Sequence, residues 1–205
     1  MIAEAQQKIA AASLSGSITT GVLAIEDLGA WIGRECDTRD CPAYRAPFDG
    51  VLSNFGAVNC VEHLRPAAFA LSRLIRPGGY LVLVLIGRFC LWETTLYGLQ
   101  GRFTKAARRW SNGGRAAASL DGSARFTVHY RPVREVVEAF RPAFRLERHC
   151  GIAIFVPPSY LEPHARRAPK LLKLGARIDR AISAWPVCRA VADHTLLVFR
   201  REHSC

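Results

Sequence analysis

Apolar side chains recur along this chain with two different periods. In residues 2–12, Ile2, Ala5, Ile9 and Ala12 fall on one stripe, and in residues 62–74 Leu64, Ala68 and Leu71 do the same, with Ile75 continuing that face. Recurrence every three or four residues predicts amphipathic helices in both places. Residues 80–86 are apolar throughout, as expected of a strand covered on both faces in a parallel sheet. Residues 125–131 alternate, which predicts another strand.

Glycine, proline and polar clusters punctuate the rest. Residues 13–16 read as a turn, 17–24 as a strand, 25–32 as a short helix and 34–47 as a polar loop carrying both signs of charge. A short buried strand is expected at 51–53. Arg76-Pro77-Gly78-Gly79 should end the preceding helix, since glycine takes the left-handed closing conformation and proline bars continuation. Strand, helix and strand at this spacing make a right-handed βαβ unit. Residues 89–110 predict mostly helix, with Trp92, Leu96, Leu99 and Phe103 near one stripe, and 111–114 a turn. Pro132-Val133 opens a helix to Phe140, and 144–156 predict a strand broken near Cys150-Gly151. One or two basic helices at 160–185 precede a terminal strand, His194–Arg201. Together these elements predict a single α/β domain over residues 1–205.

Composition narrows the class. Half of the 205 residues are hydrophobic, enough for a packed core. No apolar stretch approaches the roughly 18 residues of a membrane span. The first residues show no basic segment followed by an apolar one, so a soluble, cytoplasmic protein is expected. The seven cysteines (Cys36, Cys41, Cys60, Cys90, Cys150, Cys188 and Cys205) are odd in number and contain no Cys-x-x-Cys pair. That pattern argues for reduced thiols and against a disulfide framework or a metal site. The net charge of +11 is unevenly spread: four basic against seven acidic side chains in residues 1–50, twenty against eight in residues 101–205. A basic half can attract nucleic acid, anionic lipid or an acidic substrate. Here the cations are mostly arginines scattered over predicted helices and turns with few interleaved aromatics, which favours a solvated surface over a nucleic-acid site.

In a sheet of this kind, ligands bind at the carboxyl ends of the strands. Those ends are residues 24–27, 53–59 and 86–92, so all three belong to one crevice. Ser53 and Asn54 close a buried strand with small hydrogen-bonding side chains, suited either to a polar ligand or to capping the next helix.

The segment Phe48-Asp49-Gly50-Val51-Leu52-Ser53-Asn54-Phe55-Gly56-Ala57, followed by Arg76-Pro77-Gly78-Gly79-Tyr80 and an apolar strand, resembles the second half of a class I methyltransferase dependent on S-adenosylmethionine (SAM). Met1-Ile2-Ala3-Glu4-Ala5 resembles the end of the pattern that follows that family's second strand. Ala24-Ile25-Glu26-Asp27-Leu28 is similar to the stretch that lines the adenine, although Ala24 stands where the family often has an acid. The resemblance implies a Rossmann-like methyltransferase sheet, with residues 1–90 on the cofactor side and 91–205 on the substrate side. It implies SAM as cofactor, held by Ile25, Glu26, Asp27, Ser53, Asn54 and Phe55. No Gly-x-Gly occurs in the chain, and no acid stands where the family's second strand would supply one. The expectation is therefore an N-terminally truncated domain lacking the first two strands, with a helical insertion before its last strand. Its sheet edge would be exposed, or completed by a second copy or a partner chain.

Methyl transfer in such a family requires positioning and at most one base. Among His63, His129 and Tyr130, the two expected to act are His129 and Tyr130. Asn59, Trp92 and Tyr97 are expected against a small-molecule acceptor, and Arg166, Arg167, Lys170, Lys173, Arg177 and Arg180 against an acidic partner or lipid headgroups. The competing expectation is a non-catalytic methyltransferase-like partner or scaffold.

Overall fold

The first amphipathic stripe becomes α1 (Ile2–Ala11), a helix that buries none of its side chains. The computed structural model describes residues 2–32, 47–120, 124–158 and 168–203. The loop expected at 34–47 thus lies outside the described residues except for Pro47. So do Cys36, Cys41, Cys205 and the start of the basic region at 160–167, with Arg166 and Arg167.

The strand expected at 17–24 does not form. That segment has no ladder partner among the described residues, and Val22 is 88% exposed. Gly21 interrupts it, and a lone strand is not stable in water without a partner. A 3-10 turn at Ile25–Asp27 and helix α2 (Leu28–Ile32) follow.

The predicted strand–helix–strand unit is present as β1 (Phe48–Ser53), α3 (Leu64–Leu74) and β2 (Ile75–Ile86), with β1 parallel to β2. β1 was expected to be buried, yet Phe48, Asp49, Gly50 and Leu52 are exposed. It is an edge strand, and no described strand pairs on its outer side. Arg76–Gly79 is not a separate turn either. The chain leaves α3 straight into β2, and Ile75, expected on the helix face, is fully buried as the strand's first residue. Phe48 pairs with Ile75 and Gly50 with Tyr80, so Asp49 alone faces a four-residue bulge. Asp49 accepts a 2.6 Å hydrogen bond from Arg76 Nε there.

The helical stretch at 89–110 divides into α4 (Leu91–Leu99) and α5 (Phe103–Ala106). Next comes an unanticipated strand, β3 (Arg115–Leu120), paired antiparallel with β4 (Ala124–His129) as a ribbon separate from the main sheet. Ala116-Ala117-Ala118 carries none of the β-branched or aromatic side chains that announce a strand. Helix α6 (Val133–Phe140) starts after Pro132 as expected. β5 (Phe144–Ile152) runs through Cys150-Gly151 and stops before Ala153, whose φ is +60°. Helices α7 (Pro169–Ile182) and α8 (Pro186–Val191) lead to β6 (His194–Arg201).

The main sheet has the order β1-β2-β6-β5, with β6 antiparallel to both of its neighbours. Leu81, Leu83, Leu85, Leu197 and Phe199 point from it into a core closed by α3 and α6. The Phe140 ring stacks on Phe199 at 5.5 Å and meets Phe144 at 6.0 Å. Truncating any one of these rings to Ala removes about 3–5 kcal/mol of stability. The apolar run at 80–86 predicts cover on both faces, but Tyr80, Val82, Val84 and Ile86 remain partly open. At the end of the sheet where Ile152, His194 and Ile86 lie in one row, Asp179 pins α7 to the turn after β5. Its carboxylate accepts hydrogen bonds from the backbone N–H of Ile154, Phe155 and Val156 at 3.1, 2.8 and 3.2 Å.

Candidate functional site

The carboxyl ends of β1 and β2 lie side by side, and the chain after β1 is bent sharply to keep them so. Asn54 Oδ1 accepts a hydrogen bond from Phe55 N–H at 2.8 Å, and Phe55 and Gly56 both take left-handed conformations, with φ of +54° and +72°. A non-glycine residue in that region costs about 1–3 kcal/mol and persists where its surroundings demand it. Gly56 has no alternative, because a Cβ there would lie 2.6 Å from Ile86 Cγ1. Its N–H instead donates to the Val84 carbonyl at 3.1 Å, carrying the loop along β2.

Two cavities open at this end of the sheet, and Ala67 lines both. The first, about 420 Å³, is apolar: Leu23, Ile25, Leu28 and Trp31 face Val51, Leu71 and Phe140 across it, with Ser53 and Asn54 at its polar end. Ser53 Oγ is buried there and has no hydrogen-bond partner among the described residues. Such an orphaned hydroxyl points to a ligand group. The second cavity, about 670 Å³, is polar and lined by Glu26, Cys60, Glu62, His63, Arg115, Arg125, Thr127 and His129 among others. Consecutive residues Ile25 and Glu26 thus serve one cavity each.

The ribbon supplies one wall of the polar cavity. Arg115 lies directly opposite His129 in the β3–β4 register, and Ala117 opposite Thr127. Strand periodicity puts Arg115, Arg125, Thr127 and His129 on one face. His129 is buried, and burial together with the Arg131 and Arg115 charges holds its imidazole below the ordinary histidine range. It is therefore a neutral base at pH 7, facing two exposed guanidiniums. Burial and the Glu26 carboxylate push the Cys60 thiol up, which disfavours a thiolate nucleophile.

Other expected site residues fall elsewhere. Asp27, Phe55, Tyr130, Trp92 and Tyr97 line neither cavity. Tyr130 is buried with the Arg109 guanidinium 5.6 Å from its ring centre, and Arg102 and Lys105 cover the Tyr97 ring. Asn59 is buried with its amide committed to main chain: Nδ2 donates to the carbonyls of Ile86 and His129, and Oδ1 accepts from Ile86 N–H. It joins the first loop to the ribbon and so sets the position of His129.

A buried ionic cluster, unanticipated from sequence, locks the β2–β6 junction behind the site. Arg109 donates from Nη2 to Glu93 and Asp193, both at 2.7 Å, and from Nη1 to the carbonyls of Gly87 and Asp193. Burial alone would raise the Asp193 carboxyl, but hydrogen bonds and charge from His194 and Arg109 hold it far below the usual carboxylate range. Gly87 must be glycine, since a Cβ would meet the Ala192 carbonyl at 2.7 Å. Among the described residues, no group of three or more His, Cys, Asp or Glu is placed to hold a metal ion.

No family model and no curated protein matches this chain. Among solved structures it is similar to a SAM-dependent methyltransferase from Mesorhizobium loti, with 15% identity, 75% of this chain and 62% of that one covered, and a TM-score of 0.40. It is also similar to a Listeria monocytogenes protein assigned as a SAM-dependent methyltransferase, with 11% identity, 93% and 74% covered, and a TM-score of 0.46. Both neighbours are methyltransferases. The chain spans about three fifths of the length of the first.

The residues at the apolar cavity fit SAM at two of its parts. Ile25, Leu28 and Trp31 offer an apolar wall to a flat ring, and the orphaned Ser53 hydroxyl beside Asn54 offers polar partners to an amino-acid end. Among the described residues, no carboxylate lines that cavity to receive ribose hydroxyls.

Proposed function

We propose that this chain is a SAM-dependent methyltransferase domain, acting in the cytoplasm on a small acceptor and binding its cofactor weakly on its own. The supporting observation is the pairing of an apolar cavity, with the unpartnered Ser53 hydroxyl, and a polar cavity, with the neutral base His129 opposite Arg115. When bound, the cofactor supplies an electrophilic sulfonium methyl group. Ser53 and Asn54 would hold its amino-acid end, and Ile25, Leu28 and Trp31 would hold its ring. Arg115 and Arg125 orient an anionic acceptor, and His129 accepts the proton that the acceptor's nucleophile gives up. Asn59 acts by positioning His129 through the backbone.

A second reading is a non-catalytic methyltransferase-like partner. It is favoured by the outer edge of β1, on which no described strand pairs, and by the exposed Leu52 and Phe55 beside it, which a second copy or another chain could cover. Calorimetric titration of the 1–205 chain with SAM separates the two. Saturable heat that weakens several-fold in both Ser53→Ala and Asn54→Ala supports the enzyme reading. A folded chain giving no heat supports the partner reading.

A further inference from the structure

Helix α7 presents an apolar stripe that nothing described covers. Leu171, Leu174 and Ile178 recur three and four residues apart, and Leu171 is 69% and Leu174 52% exposed. The helix cannot simply roll to bury them. Asp179, its single acid, is buried on a different face and holds three backbone N–H groups of the turn after β5. Leu172, Gly175 and Ala176 lie on that inner side, and Gly175 lies against Phe155. The apolar stripe is thereby fixed outward.

Beside the stripe runs a cationic face. Lys170, Lys173, Arg177 and Arg180 are all exposed, and none has an ion-pair partner among the described residues. Immediately beyond the helix come two further exposed apolar side chains, Trp185 (61%) and Val187. A soluble protein rarely leaves so much apolar surface together unless something docks on it. Leucines beside lysines and arginines on one fixed helix, closed by a tryptophan, form the profile of a helix lying in a lipid interface: cations reach the headgroups while leucine and tryptophan enter the acyl boundary. No described helix is long and apolar enough to cross a membrane.

We propose that α7, with Trp185, docks the protein on an anionic phospholipid surface. The charge complementarity selects that surface over a neutral bilayer. The stripe selects it over nucleic acid, which offers phosphates but no apolar layer.

Flotation of the 1–205 chain with phosphatidylcholine vesicles, with and without phosphatidylglycerol, tests this. Wild type should float with the anionic vesicles, much less with neutral ones, and less as salt rises. L171Q/L174Q should weaken partition about tenfold or more. K173Q/R177Q/R180Q should weaken it roughly a hundredfold, at about fivefold per cation. Trp185 emission should shift to the blue on binding, a shift absent in Trp185→Phe. All the substituted side chains are exposed, and unchanged far-UV circular dichroism confirms that the variants fold. Absence of flotation overturns the proposal, as does equal partition into neutral vesicles. Flotation that survives L171Q/L174Q but is lost in the charge variant also overturns it, leaving a merely electrostatic surface for polyanions.

Discussion

Asn59 and Ile86 form one more rung of the β1–β2 ladder, made by a side chain. Asn59 Oδ1 accepts from the Ile86 N–H at 2.9 Å, and its Nδ2 donates to the Ile86 carbonyl at 3.2 Å. The same Nδ2 donates to the His129 carbonyl at 2.9 Å, so one buried amide fastens the end of β2, the loop after β1 and the ribbon together. Asn59→Ala should cost about 2–4 kcal/mol in urea unfolding, because buried backbone groups lose their partners. Asn59→Asp should not rescue it, as the carboxylate cannot donate.

The Arg109 cluster should behave as a buried ion pair does when one partner is removed. Arg109→Met leaves Glu93 with Arg108 and Asp193 with His194 as their remaining partners, and should destabilise the fold by about 3 kcal/mol. Arg109→Lys keeps the charge but loses the planar fork that reaches two carboxylates and two carbonyls at once, so it should still lose part of that stability. Thermal and urea unfolding of both variants check this.

His129 should titrate below about 6.5, the value of an unperturbed histidine. Arg115 is one cause, so Arg115→Gln should move the midpoint up. Imidazole resonances followed by NMR against pH read this directly. Any activity that uses His129 as base should fall as pH drops through the same midpoint and level off above it.

His149 gives stability its own pH dependence. Burial, with the Arg189 charge, lowers its pKa to about 4. Between about pH 6.5 and 4 the unfolded chain takes up a proton that the folded chain refuses, so stability falls as pH falls through that window and flattens below it. The loss is on the order of 2 kcal/mol, allowing for partial solvent contact. Unfolding free energies across the window should decline less steeply in His149→Gln.

The local elements were largely legible in the chain. Periodicity placed α1, α3 and β4, a first-turn proline placed α6, and the apolar run placed β2, because side-chain spacing and burial follow directly from helix and strand geometry. Ser53 and Asn54 were legible as the close of a strand for the same reason.

Tertiary structure alone decided which residues meet. The segment at 17–24 carries strand-forming residues but pairs with no described strand, and the alanine run of β3 does not announce a strand yet pairs with β4. That pairing sets Arg115 opposite His129, a contact across 14 residues whose only sign in the sequence was charge. Glu93, Arg109 and Asp193, spread over a hundred residues, meet where β2 and β6 turn. Spacing along a chain encodes the face a residue occupies, whereas partners across the fold are chosen by packing and by the need to satisfy buried charge.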